Sequence, residues 1–300
     1  MNLLSIMDLE KNEIEGYLSL AAEIKASPAK YSESLKGKTL AMVFEKPSTR
    51  TRVSFEVGMT QLGGYAIYLD FTSTQLSRGE SIRDTAKTLA RYVDIIMARL
   101  YKHESLIEIA KYADVPVING LTDVEHPCQA LSDLLTMKEK GKLKKGAKFA
   151  FVGDCGFNMA NSLLLACSKE GMEVALVCPK GYPPNRVYVD EARKYSEVNI
   201  FHDPKEGVAG ADVIYTDTWI SMGMEEEKAE RLKAFAPFQL NSDLVKHAEN
   251  DAIVMHCLPA HRGMEITDEV IDGKHSVVFD QAENRLHMQK AIMLRLLGKA

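Results

Sequence analysis

The feature that most constrains this chain is an alternation of short, fully apolar runs with stretches of helical periodicity, begun near residue 40 and restarted near residue 149. In the first block, residues 40–44, 66–69, 95–98 and 117–119 read as strands, and residues 51–62, 82–92, 104–113 and 127–140 as helices. Gly63-Gly64 closes the first of these helices, Ser81-x-x-Asp84 opens the second as a capping box, and Pro127 stands at the first turn of the fourth. Strands with no polar alternation must be covered on both faces, so the pattern predicts parallel sheets flanked by helices. An amphipathic helix over residues 10–25, with Ile14, Leu18, Ala21 and Ile24 on one face, precedes the block.

The segment Gly141-Lys142-Leu143-Lys144-Lys145-Gly146 is basic, glycine-flanked and placed between two complete alternating blocks, as a domain boundary is. Beyond it, strands are expected at residues 149–152, 174–177, 199–201, 213–216, 253–255 and 277–279. A last amphipathic helix over about residues 285–297, carrying Met288, Ile292 and Leu296, is placed to pack back on the first domain. A chain of 300 residues also exceeds what one core usually serves. The expected architecture is α/β: two doubly wound domains with parallel sheets, residues 1–142 and 143–300, the final helix (about 285–300) returning to the first.

Composition narrows the function. With 46% hydrophobic and 26% charged residues the chain has the balance of a globular enzyme. No run is long enough to span a membrane, and Leu3-Leu4 is too short and lacks the basic flank of a signal peptide. Cys128, Cys155, Cys167, Cys178 and Cys257 show no metal-type spacing, and several sit in apolar runs, so reduced thiols and a cytoplasmic location are expected. A net charge of -5 argues against nucleic acid or an anionic membrane as the main partner. Any anion site must be local, built from a few converging Arg and His residues.

Ligands of open α/β sheets bind beyond the carboxyl ends of the strands, and the unusual residues collect there. Pro47-Ser48-Thr49-Arg50-Thr51-Arg52 follows the first strand and opens a helix, bringing hydroxyls, guanidiniums and free backbone N–H groups to a positive helix end that suits a phosphate. Taken alone it also fits a Ser-capped helix with solvated arginines. Arg99 ends the third strand. His126-Pro127-Cys128-Gln129 puts His126 and Gln129 one turn apart on one face, where a carbonyl-bearing ligand could lie, although a lone His in that place is more often a cap. Asn158 follows the first strand of the second block, and Asp217-Thr218-Trp219-Ile220-Ser221-Met222-Gly223 follows its fourth, a loop suited to closing over a substrate or a connector with a buried Trp. His256-Cys257-Leu258-Pro259 follows the fifth, where Cys257 also fits a buried structural thiol.

In combination these segments resemble the aspartate/ornithine carbamoyltransferase family, and its ornithine-directed members most. Ser48-Thr49-Arg50-Thr51, His126-Pro127-Cys128-Gln129, Asp217 with Ser221-Met222-Gly223, His256-Cys257-Leu258-Pro259 and Asp280-Gln281-Ala282-Glu283-Asn284-Arg285 occur in the order and approximate spacing of that family, over nearly the whole chain. The resemblance implies an active site in the cleft between the two domains and transfer of a carbamoyl group from carbamoyl phosphate to the δ-amine of L-ornithine, giving L-citrulline and phosphate in arginine metabolism. It implies no metal or organic cofactor.

By the same resemblance Ser48, Thr49, Arg50 and Thr51 hold the phosphate, with Arg99 bridging phosphate and carbonyl oxygen. His126 and Arg285 support that oxygen, while Gln129 and the backbone of Cys257 and Leu258 orient the carbamoyl NH2. Arg99, His126, Cys257 and Arg285 are then the catalytic set. Gln75, in Thr74-Gln75-Leu76-Ser77-Arg78-Gly79-Glu80, resembles a residue lent to a neighbouring subunit's site, so a homotrimer or a multiple of trimers is implied; Ser77 stands where relatives often have Gly. Asn158, Asp217, Ser221 and Met222 are the implied ornithine ligands. Putrescine, an N-acylated ornithine or aspartate are the alternative acceptors, and the segment from Asp217 to Gly223 does not look built for the second carboxylate of aspartate.

Two other readings fail on the residues. A dinucleotide site at Gly153-Asp154-Cys155-Gly156 lacks the Gly-x-Gly-x-x-Gly fingerprint, and the next strand ends in Cys178-Pro179 where a ribose-binding acid is needed. A non-catalytic binding protein of similar architecture leaves the His126, Cys257 and Arg285 set superfluous.

Overall fold

Leu40, Ala41, Met42, Val43 and Phe44 are each 2% exposed or less, as a strand covered on both faces must be. They lie in β1 (Thr39–Phe44) of a computed structural model that describes residues 1–220 and 225–299, the side chain of Glu225 apart. The chain forms two compact units, Met1–Leu135 with Glu283–Ala300, and Thr136–Ala282.

In the first unit β1 pairs in parallel with β2 (Tyr65–Asp70) on one side and β3 (Ile95–Arg99) on the other, and β3 pairs with β4 (Val117–Leu121), giving the order β2-β1-β3-β4. The direction of strand addition reverses between β1 and β3, so the loops leaving these two strands flank the switch point where open sheets bind ligands. The helices are α1 (Lys11–Ala26), α2 (Thr49–Gln61), α3 (Ile82–Leu89), α4 (His103–Tyr112) and the start of α5 (Pro127–Glu139). Ala41, Val43, Ile96, Ala98 and Leu106 belong to the core under α3 and α4. Helix α3 ends earlier than its periodicity suggests. Asp94 accepts hydrogen bonds from the Thr39 N–H (2.8 Å) and from Lys38 (2.7 Å), and the chain must turn ahead of it to enter β3. Gly63, with φ +83, closes the turn after α2; a Cβ there would stand 2.7 Å from the Ser32 carbonyl oxygen.

The second unit has β5 (Lys148–Val152), β6 (Glu173–Val177), β7 (Val198–Phe201), β8 (Val213–Thr216) and β9 (Ile253–His256), all parallel, in the order β7-β6-β5-β8-β9. Its switch point lies between β5 and β8. The helices are α6 (Asn158–Lys169), α7 (Arg186–Ala192), α8 (Pro204–Val208), α9 (Lys228–Phe235), α10 (Ser242–Val245) and α11 (Asp268–Ile271). Helix α6 is buried along its whole length. Lys142, in the basic segment between the two blocks, is 7% exposed and paired with Asp251 (2.8 Å) and Asp212 (3.5 Å).

One expected strand is not a strand. Ser276 makes only an isolated bridge to Val254, and α12 (Val278–Leu296) begins where the run 277–279 was expected to extend the sheet. Val278 is buried while Phe279 is 69% exposed, so one apolar turn opening a helix mimics a short buried strand. From Glu283 onward α12 belongs to the first unit: Met288 and Ile292 are fully buried, Lys290 donates to Gln61, and Arg295 donates to the Glu13 carbonyl (3.1 Å) and covers the Tyr17 ring (4.5 Å). Among the described residues no helix is long and apolar enough to cross a membrane.

Candidate active site

Ser48 has extended backbone and caps α2, its hydroxyl accepting the Thr51 N–H at 3.2 Å. That cap fixes the first turn, so Thr49 and Arg50 stand at the helix's positive end. Thr51 is fully buried, and its hydroxyl accepts a 2.7 Å hydrogen bond from the Arg285 Nη2 of α12. Arg52 turns away: its guanidinium lies 3.9 Å from the Tyr68 ring centroid and pairs with Glu56. Of the two arginines that the segment offers, Arg52 is thus drawn to the Tyr68 ring and Glu56 rather than to the α2 start.

Arg99 ends β3 in register with Phe44, and a register irregularity with β4 falls between Ala98 and Arg99. His126 is 4% exposed. Burial, then the charges of Arg285 and Arg99, hold its imidazole pKa well below the usual range. Both effects favour the neutral form of the His126 ring. One turn on, Gln129 donates to Asp133 (2.8 Å), while its amide oxygen is buried and accepts no hydrogen bond among the described residues. Glu125, which the sequence did not single out, fixes this loop by accepting from the Ser5 hydroxyl and the Ile6 N–H (2.9 Å). Lys46, equally unremarked, is 4% exposed and 4.3 Å from the Tyr101 ring; burial and Arg99 lower its pKa. Gln75 lies in an exposed 3-10 turn, Gln75–Arg78, ended by Gly79 at φ 93.

In the second unit Asn158 begins α6 at the carboxyl end of β5, and Asp217 follows β8. Both therefore flank the switch point. Asp217 accepts from the Cys257 thiol (3.0 Å) and the Thr218 N–H (2.7 Å). Burial raises its pKa, opposed by His256 and the Cys257 bond. Leu258 has a left-handed φ of 57, a conformation that costs a non-glycine residue energy and needs outside support. His256 supplies it: Nδ1 accepts the Leu258 N–H at 2.8 Å, which leaves the ring proton on Nε2 to face Glu265 at 3.1 Å. The His256 N–H in turn donates to Gln281 (3.0 Å), and Glu265 also accepts the His261 N–H. Ser221 and Met222 lie outside the described residues.

Asp217, His256 and Cys257 place one potential metal-ligand atom each within 4.8 Å of one another. The set does not suit a metal ion, because both His256 nitrogens already serve the turn through Leu258 and Glu265.

A family model described as the aspartate/ornithine carbamoyltransferase carbamoyl-P binding domain matches residues 1–139, and one described as the Asp/Orn binding domain matches residues 145–296. Curated relatives named ornithine carbamoyltransferase include those of Carboxydothermus hydrogenoformans, 57% identical over 99% of this chain and 97% of the relative, and Archaeoglobus fulgidus, 54% identical over 99% and 98%. The solved ornithine carbamoyltransferase of Pyrococcus furiosus superposes with a TM-score of 0.94 at 52% identity, covering 99% of this chain and 97% of that one.

Proposed function

The chain belongs to the aspartate/ornithine carbamoyltransferase family, and on that premise we propose that it transfers the carbamoyl group of carbamoyl phosphate to the δ-amine of L-ornithine, giving L-citrulline and phosphate. The observation that carries the reading is the 2.7 Å hydrogen bond from the buried Arg285 of α12 to Thr51 in the Ser48-capped first turn of α2, with the buried His126 in electrostatic reach of Arg285 and Arg99.

The first unit holds the donor. Ser48, Thr49, Arg50 and Thr51 take the phosphate through hydroxyls, guanidinium and helix N–H groups. Arg99, His126 and Arg285 point donors at the carbamoyl oxygen, where negative charge develops as the amine attacks; fixed donors at such an atom are commonly the largest electrostatic contribution to a rate. A neutral His126 serves as such a donor without adding a third positive charge to a desolvated site. Gln129, whose amide oxygen is an acceptor, orients the carbamoyl NH2.

The second unit holds the acceptor. Asp217 receives the α-ammonium of ornithine, with Asn158, Ser221 and Met222 completing the contacts. A Lys-like amine has a pKa of about 10.4, so presenting it unprotonated near neutrality costs roughly 4–5 kcal/mol. Asp217, to which the Cys257 thiol donates, and the departing phosphate are the available proton acceptors. Ornithine differs from putrescine by its α-carboxylate, which Asn158, at the positive end of α6, is placed to receive. A relative from Pyrococcus furiosus, 53% identical, is described as anabolic, which supports the direction toward arginine synthesis.

The working assembly is a homotrimer or a multiple of trimers, with Gln75 of each chain serving a neighbour's site. Gln75 is exposed, and Tyr65 (67%), Ile67 (38%), Val53 (51%) and Val57 (37%) present apolar surface on the neighbouring β2 and α2. The five cysteines are all free thiols, which supports a cytoplasmic location. The test is a panel assay of the purified protein with carbamoyl phosphate and ornithine, putrescine, N-acetylornithine or aspartate, scoring ureido product. Turnover of ornithine well above the others is expected; turnover of aspartate alone overturns the acceptor assignment, and no ureido product from any amine overturns the donor assignment.

A further inference from the structure

The second unit buries a charge that the reaction does not use. Arg231 of α9 is 4% exposed, and its three guanidinium nitrogens go to three different places. Nε donates to the Trp219 carbonyl at 2.5 Å, Nη2 to the Asp154 carboxylate, and Nη1 to Glu227 at 3.3 Å. The guanidinium carbon lies 4.9 Å from the Tyr182 ring centroid and 5.3 Å from that of Phe235. Asp154 also accepts the Gly156 N–H at 3.0 Å, tightening the turn that delivers Asn158 to α6. Trp219 stacks on Phe235 at 5.9 Å and 23°.

The two segments so joined are the loop leaving β5 and the loop leaving β8, which are the two sides of the switch point in the order β7-β6-β5-β8-β9. One carries Asn158 and the other Asp217. A buried ion pair adds little stability over apolar side chains of the same volume, so its value lies in fixing one geometry. A guanidinium fork can hold a carbonyl and a carboxylate at set angles, whereas an ammonium cannot.

We propose that Arg231 is the positioning residue of the acceptor half-site, a clamp that sets the spacing of Asn158 and Asp217 by tying the Asp154 turn to the Trp219 carbonyl. The proposal rests on the assignment of Asn158 and Asp217 to ornithine. Arg231 touches neither substrate. It acts through the two loops, so its loss separates ornithine affinity from carbamoyl phosphate affinity.

Trp219 is the one tryptophan of the chain and is 4% exposed, so its emission reports on the clamp. Arg231→Lys, which keeps the charge and loses the fork, and Asp154→Asn, which removes the paired carboxylate, are compared with the parent enzyme. The measurements are ornithine KM, kcat, carbamoyl phosphate affinity by calorimetry, urea midpoint and Trp219 emission. In either folded variant we expect ornithine KM to rise about tenfold or more, the size of one lost charged hydrogen bond, with carbamoyl phosphate affinity within about twofold and a red-shifted Trp219 emission. A lowered urea midpoint with KM unchanged in both variants makes Arg231 merely structural and overturns the clamp. Asn158→Ala and Asp217→Asn separate the two ideas: if they raise ornithine KM and the Arg231 and Asp154 variants do not, the clamp fails alone. If they leave it unchanged, the acceptor assignment fails and the clamp with it.

Discussion

Arg285, near the middle of α12, donates to the hydroxyl of Thr51, in the first turn of α2, across 2.7 Å of fully buried space. The bond joins two residues far apart in sequence at the place where β1 hands the chain to its first sheet-covering helix. It orients a guanidinium whose charge also reaches His126.

Thr51→Val keeps the shape of the side chain and removes the oxygen that Arg285 needs. A buried charged donor deprived of its acceptor loses on the order of 1.5–3 kcal/mol, so carbamoyl phosphate binding should weaken by roughly tenfold to a hundredfold. Thr51→Ser retains the hydroxyl and should stay within about twofold of the parent. Calorimetric titration with a non-hydrolysable carbamoyl phosphate analogue checks both; equal affinity in Thr51→Val and parent would show that the bond does not order the donor site.

The sheets were legible because strands buried on both faces leave apolar runs such as Ile95, Ile96, Met97 and Ala98, although the run 277–279 shows that one apolar helical turn reads the same way. The α2 start was legible as a Ser-capped helix end, which Ser48 forms; its reading as an anion site rested on the combination of segments. What sequence could not show was each side chain's direction. Arg50 and Arg52 are equivalent on paper, yet Arg52 has an aromatic ring and a glutamate within reach and takes them. The pairing of Lys142 could not be read because its partners, Asp212 and Asp251, are distant in sequence. Arg231 was illegible for the same reason, since α9 reads as a polar surface helix until Asp154 and Trp219 meet it. His256 stood beside a singled-out cysteine, but only the left-handed Leu258 explains why a histidine must precede it.

His126 makes the first unit acid-sensitive. Burial and two arginines hold its folded pKa well below 6.5, the value that an exposed histidine would have. Below that value the unfolded chain takes a proton that the folded chain refuses. Stability is therefore fully present above it and falls with falling pH, by about 1.4 kcal/mol per pH unit while the difference lasts. His287 shifts in the same direction, largely by burial, so the parent carries both contributions. Urea midpoints of parent and His126→Gln, taken at about pH 7.5 and about pH 5.5, should show the smaller acid loss in the variant; equal losses would place a charged His126 in the folded protein.

Asp217 shows the opposite sign. Its carboxyl pKa is raised by burial, so the folded protein holds the proton more tightly than the unfolded chain. Stability from this group is present at low pH and is lost as pH rises through the folded value. Asp217→Asn removes that loss, so its thermal midpoint near neutrality should equal or exceed the parent's while ornithine KM rises more than about tenfold. Calorimetry and initial rates together check the trade. A variant that is both less stable and normal in ornithine KM would make Asp217 a structural group of the Cys257 turn.

The edge of the first sheet is where assembly should be tested. β2 is the outermost strand of the order β2-β1-β3-β4, and a bare edge with apolar side chains is a liability that folded proteins cover or charge. Tyr65 and Ile67 are exposed there, with Val53 and Val57 on the adjacent α2, a patch of the kind that marks an interface. Placing a charge in it, as Ile67→Asp does, should leave the unit folded, because the side chain already faces outward, and should penalise any association through this edge. Sedimentation velocity is expected to show a parent trimer or trimer multiple and a variant shifted toward monomer. If Gln75 serves a neighbour, activity must fall with the assembly and recover with protein concentration. An assembled Ile67→Asp protein with full activity would move the interface elsewhere on the first unit.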